Sequence, residues 1–154
     1  MSLGREVIYG RVFAFFSALT VGGSPAFKTA TRKLDTWDGV EAEDCPALLI
    51  SQRTETAEFR KGLPLKWRLN LDLYLYVRTN AQNDPSIIPS QVLNPLLDAI
   101  EDALKRDDIA NDACTLGGLV SHCSYSGSIT ITEGTLGDEA VALVPISILV
   151  PATS

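Results

Sequence analysis

Residues 65–77 read Leu-Lys-Trp-Arg-Leu-Asn-Leu-Asp-Leu-Tyr-Leu-Tyr-Val. Leu65, Trp67, Leu69, Leu71, Leu73, Leu75 and Val77 take every second position, and Lys66, Arg68, Asn70, Asp72, Tyr74 and Tyr76 stand between them. Successive side chains leave a strand on opposite sides, so this period of two predicts one long strand and fits no helix. One apolar and one wetter face further predict an antiparallel sheet covered on one side, because central strands of a parallel sheet are apolar on both faces.

Downstream, residues 80–89 read as a loop. Val92, Leu93, Leu96, Leu97, Ile100 and Leu104 then recur at helical spacing and predict an amphipathic helix ending near Arg106. Asn94-Pro95 is a good cap and first-turn pair, so this helix either starts there or is kinked there after a first turn near Pro89. Upstream, Ile8, Val12, Phe15, Phe16 and Leu19 draw one stripe on a helix over residues 5–19, which the cluster Gly22-Gly23-Ser24-Pro25 terminates. A weak strand is expected over 26–34 and a short buried one over 47–53. Residues 119–125 and 128–132 read as strands, or as one strand bulged around Ser126 and Gly127. A turn at 134–138 leads to a last strand over 139–150. The expected fold is a single α+β domain over 1–154: a four- to five-stranded, mainly antiparallel sheet with two helices packed on one face.

The totals suit a protein with its own core: 154 residues, 45% hydrophobic and 21% charged. Residues 1–78 carry a net +2 and residues 79–154 a net −8, which together make the −6 of the chain. Such a balance argues against specific nucleic-acid binding, which usually needs a basic patch, and predicts an acidic surface on the second half. Cys45, Cys114 and Cys123 are odd in number and irregularly spaced, with no secretory leader, and read as reduced cytoplasmic thiols. The apolar run 12–19 is far shorter than the roughly 20 residues that span a bilayer, so no membrane insertion is expected.

Hydrolytic or acid–base chemistry usually needs a histidine beside a nucleophile. The single histidine, His122, precedes Cys123 in an expected strand, where the two side chains point to opposite faces. Cys45, Cys114, His122 and Cys123 lack zinc-site spacing. Asp98, Glu101 and Asp102 read as the wet face of a helix, and Asp107, Asp108 and Asp112 lack the glycine and closing glutamate of a calcium loop. Gly117-Gly118 does not open a helix after a strand and reads as a turn rather than a phosphate cradle. No catalytic residue, metal or cofactor is therefore expected. The features that remain are surfaces. Arg68, Tyr74, Tyr76 and Arg78 mix aromatics with arginines on one strand face, which suits an interface or a solvated face equally. The polar loop 54–62, with Glu55, Glu58, Phe59, Arg60 and Lys61, projects either toward a neighbour or as a mobile hairpin tip.

Several runs, taken in order, resemble the tail terminator (tail completion) proteins of long-tailed bacteriophages and prophages. They are Pro-Ala-Leu-Leu-Ile at 46–50, Gly-Leu-Pro-Leu-Lys-Trp at 62–67 leading into Leu-Asp-Leu-Tyr-Leu-Tyr-Val at 71–77, and Leu-Asn-Pro-Leu-Leu-Asp-Ala-Ile at 93–100. Thr-Leu-Gly-Gly-Leu-Val at 115–120, Glu-Gly-Thr-Leu-Gly-Asp at 133–138 and Pro-Ile-Ser-Ile-Leu-Val at 145–150 extend the likeness over most of the chain. The resemblance implies a non-enzymatic virion protein, assembled in the bacterial cytoplasm. It would form a six-fold ring with copies of itself on the tail tube protein, stop tube polymerisation and present a surface to the head–tail connector. The acids of the second half would then either meet a neighbour's basic patch or line a passage for DNA. Another neck component (head closure or tail-to-head joining) and a small-ligand or enzyme domain of ferredoxin-like build are the competing readings.

Overall fold

The computed structural model describes residues 4–33, 40–79, 88–133 and 139–150, without the side chain of Ala42. Helix α1 (Arg5–Ser17) is followed by a small hairpin, β1 (Thr20–Val21) and β2 (Ser24–Pro25). Gly22 and Gly23 supply the positive φ, 60° and 83°, that a two-residue hairpin turn requires. Then come β3 (Thr29–Thr31), β4 (Ala47–Glu58), β5 (Lys66–Arg78), α2 (Pro89–Ala103), β6 (His122–Tyr125), β7 (Thr130–Glu133) and β8 (Glu139–Val150).

The fold is α+β; the described residues form two α-helices and a mixed sheet of six strands ordered β3-β4-β5-β8-β6, β7 also pairing with β8. The sheet is therefore larger than the four to five strands expected, and its β3 edge is parallel to β4, Thr29 opposite Ala47 and Thr31 opposite Leu49. Three residues are too few to carry a pattern, which is why the expected strand over 26–34 shrinks to β3; Leu34 lies outside the described residues. β6 and β7 run along the same edge of β8. Tyr125 faces Ile146 and Thr130 faces Leu143, so four residues on one side match two on the other. Together they form the bulged strand read around Ser126 and Gly127, and Ser126 N–H still reaches the Pro145 carbonyl at 2.9 Å. Residues 119–121, expected in that strand, precede it.

Alternation on β5 does what the sequence pattern requires. Leu69, Leu71, Leu73, Leu75 and Val77 are buried and join Ala140, Ala142, Val144, Ile146, Ile148 and Val150 of β8 in one core. Ile8, Tyr9, Val12 and Phe16 of α1 and Leu93, Leu96 and Ile100 of α2 enter that same core, so both helices cover one sheet face. Each fully buried leucine contributes about 1.5–3 kcal/mol of transfer free energy, which makes this face the main source of stability. α2 starts at Pro89, the earlier of the two starts considered, and keeps Pro95 inside. It stops at Ala103, three residues short of Arg106. The expected loop at 80–89 ends where α2 begins; residues 80–87 and the turn at 134–138 lie outside the described residues.

The opposite, outer face is only partly covered. Cys45, Ala47, Leu49 and Tyr76 form a small buried cluster there, with Val40, Tyr74 and Val141 against it.

β4 departs most from expectation. It runs five residues beyond Arg53, so the first half of the supposed loop 54–62 is strand. Gln52 faces Leu71 but Glu55 faces Leu69, leaving Arg53 and Thr54 opposite Asn70 alone. This bulge switches the inward parity from Leu48, Ile50 and Gln52 to Glu55 and Ala57.

Candidate assembly surfaces

The bulge turns Glu55, read from sequence as part of a projecting loop, toward α1. Its carboxylate accepts hydrogen bonds from Arg5 Nε at 2.7 Å and from the Tyr9 hydroxyl at 3.1 Å. The Arg5 guanidinium lies 5.2 Å from the centre of the Trp67 ring, a cation–π distance. Tyr9 is 2% exposed. Burial, and next the Glu55 charge, push its hydroxyl up to about 12. Glu55 thus joins α1 to the sheet.

The other candidates divide between the two ends of β5, about 40 Å apart along a 13-residue strand. At one end, Arg68 Nε donates to Glu58 at 2.9 Å and its Nη1 to the Ser147 hydroxyl at 3.1 Å. Arg53 and Asp72 pair at 3.2 Å, and Asn70 donates to Thr54 at 3.1 Å, so the middle of the outer face is knitted by its own polar groups. Toward the far end, Tyr74 and Tyr76 meet edge to face with centroids 6.4 Å apart, and Arg78 pairs with Glu139 at 3.3 Å. Tyr76 belongs to the small buried cluster on the outer face.

The hairpin tip is different. Pairing of β4 with β5 ends at Glu58 and Lys66, whereas β8 reaches only to Val150 opposite Trp67. The tip therefore extends beyond the described part of β8. Leu63 N–H closes a tight turn on the Arg60 carbonyl at 3.0 Å, and Gly62 takes the left-handed conformation this needs, φ 83°. Phe59 is 76%, Leu63 58% and Leu65 38% exposed, with Arg60, Lys61 and Lys66 exposed among them. Sequence reasoning found Phe59, Arg60 and Lys61 but placed Leu65 in the buried stripe and passed over Leu63. The pair flanking Pro64 was the signal available.

A second surface was missed altogether. The end of α2, the residues after it and β6 border an open groove of ≈ 330 Å³, lined by Glu101, Leu104, Lys105, Arg106, His122, Cys123, Ser124 and Tyr125. Lys105 is matched by Asp102 at 3.0 Å and Arg106 by Asp112. Burial first, then the charges of Glu101 and Asp98, raise the Tyr125 hydroxyl above its ordinary range.

The remaining polar groups are engaged locally. His122 Nδ1 accepts the Cys114 N–H at 3.2 Å, and His122 and Cys123 face opposite sides of the sheet. Cys114 and Cys123 lie in the main core, Cys45 in the cluster on the outer face. Asp107 accepts the N–H groups of Thr115 at 2.7 Å and Gly117 at 2.9 Å, and Gly118 N–H goes to Thr115, so these glycines serve a turn. Asp108 accepts from Asn111. Among the described residues, no group of three His, Cys, Asp or Glu side chains is placed to hold a metal ion, and no helix is long and apolar enough to cross a membrane. No protein-family model matches the sequence, and no curated protein matches it.

Proposed function

We propose that this chain is a structural, non-enzymatic subunit of a bacteriophage tail. It closes into a ring on the head-proximal end of the tail tube, ends tube polymerisation and presents the surface to which the head joins. The observation that carries the reading is the β4–β5 hairpin, whose tip exposes Phe59, Leu63 and Leu65 beyond the described part of β8. Exposing three large apolar side chains on one short turn favours a partner that covers them. The resemblance of the runs at 46–50, 62–67, 71–77, 93–100, 115–120, 133–138 and 145–150 to tail terminators gives the partner its class: copies of this chain, the tube protein and the connector. On this reading the subunit acts in the virion, and DNA passes through the ring without specific binding.

Deletion of the gene from its phage or prophage tests this. Abnormally long, headless tails in electron micrographs are the expected result. Tails of normal length that fail to join heads would move the protein to another place in the neck, and unaffected virions would overturn the assembly reading.

A further inference from the structure

Uncommitted cations and bare apolar side chains meet on one hairpin. Among the described residues, seven Lys and Arg side chains pair with carboxylates. Arg60, Lys61 and Lys66 pair with none of the described carboxylates, and they stand beside Phe59, Leu63 and Leu65 in residues 58–66, a stretch of net charge +2. Its one acid, Glu58, is already held by Arg68 at 2.9 Å. On the flank of the tip, Glu58, Arg60, Leu63, Pro64, Lys66 and Leu149 line a notch of ≈ 200 Å³. That is below the roughly 300–1,000 Å³ of small-molecule pockets and suits an inserted side chain. The surface that fits this tip is a socket with an apolar floor for Phe59 and Leu63 and an acidic rim, from which a carboxylate enters the notch beside Arg60 and Lys66.

The chain's own grooves do not have that chemistry. Three grooves of the described residues are each lined by one acid and two cations: Glu6 with Arg32 and Lys33, Glu101 with Lys105 and Arg106, and Glu58 with Arg60 and Lys66. None of the three gives a second copy's tip an acidic socket, which points to a chain of another sequence. A nucleic-acid duplex or an anionic bilayer fits less well. Either spreads past the tip by more than the roughly 8–10 Å over which salt screens a charge, and so meets the rest of this chain, net −8. We infer that the tip is a plug that seats the chain in an acidic-rimmed, apolar-floored socket at the end of the tail tube, formed by the tube protein. A head-to-tail contact propagates when every subunit carries both of its halves. A subunit that brings the plug and whose grooves repel a further plug fills the socket and ends the series. The inference rests on the reading of the chain as a tube terminator, and it names the contact and the chemistry of the partner.

The test sediments full-length protein with tubes polymerised from the cognate tube protein. R60E/K61E should bind at least about tenfold more weakly than the parent, because like charges then face each other across the contact. K28E/K33E makes the same change of charge at two other exposed side chains and should bind as the parent does. Parent binding that R60E/K61E leaves intact overturns the plug and spares the tube-capping reading, and so does an equal loss in K28E/K33E, which reduces the effect to net charge. A parent that binds no tubes dismisses the capping reading and the plug with it. Phe59→benzoylphenylalanine gives the second measurement: on illumination it should crosslink to the tube protein, on a peptide bearing Asp or Glu. Crosslinks only between copies of this chain overturn the inference in favour of a self-contact. Tip-dependent sedimentation with phosphatidylglycerol vesicles, without a crosslink to tubes, overturns it in favour of a membrane.

Discussion

Replacing Glu55 with alanine removes the acceptor that joins α1 to the bulged half of β4. The Tyr9 hydroxyl loses a charged partner at 3.1 Å while its side chain stays buried, a loss of about 1.5–3 kcal/mol. The Arg5 pair is more exposed and adds about 0.2–1 kcal/mol. Glu55→Ala should therefore destabilise the fold by roughly 2–4 kcal/mol, read from urea unfolding followed by circular dichroism at unchanged m. Tyr9→Phe should cost less, because Glu55 keeps Arg5, and the two changes should couple by about 1–2 kcal/mol in a double-mutant cycle. Glu55→Gln should also bring the Tyr9 hydroxyl down from about 12 toward the ordinary 10, seen in tyrosinate absorbance. A Glu55→Ala cost below about 0.5 kcal/mol with no coupling would refute the placement of Glu55 at this joint.

Leu73→Ala, at a fully buried site in the centre of β5, should cost about 2–5 kcal/mol in thermal or urea unfolding. Phe59→Ser should leave unfolding within about 0.5 kcal/mol of the parent, since the side chain is exposed, while weakening binding to tail tubes. Tyr9 and Cys123 are both raised to about 12, so the stability they contribute is complete below about pH 9 and is lost as pH rises toward 12; alkaline unfolding monitored by fluorescence should begin in that window. At neutral pH the three buried thiols should react with a disulfide reagent only after denaturation. Asp107 is lowered by the N–H groups of Gly117 and Thr115, so its contribution is present above the ordinary carboxylate range and lost as pH falls through its lowered value; Asp107→Asn should flatten that acid limb.

The parts of the fold legible in the sequence are those where one face is buried along a whole element. β5 and α2 announce themselves by period, and β8 by its even-numbered apolar residues opposite β5. β4 beyond Arg53 is not legible, because Thr-Glu-Thr-Ala-Glu pairs with β5 near the sheet's end, where neither face is fully covered. Its bulge adds a one-residue change of parity, which turns Glu55 toward α1. Of the candidate surface, Phe59, Arg60 and Lys61 were readable as polar-loop residues flanking a glycine. The groove was not, because Leu104 and Tyr125 come together only through the packing of α2 beside β6.

The most direct test of the ring-capping role is the length distribution of tail tubes polymerised from the cognate tube protein with this protein added. Shorter tubes are expected, each carrying a ring of this chain at one end and no longer growing when more tube protein is supplied. Tubes of unchanged length that bind none of it, or carry it along their whole length, would contradict the claim.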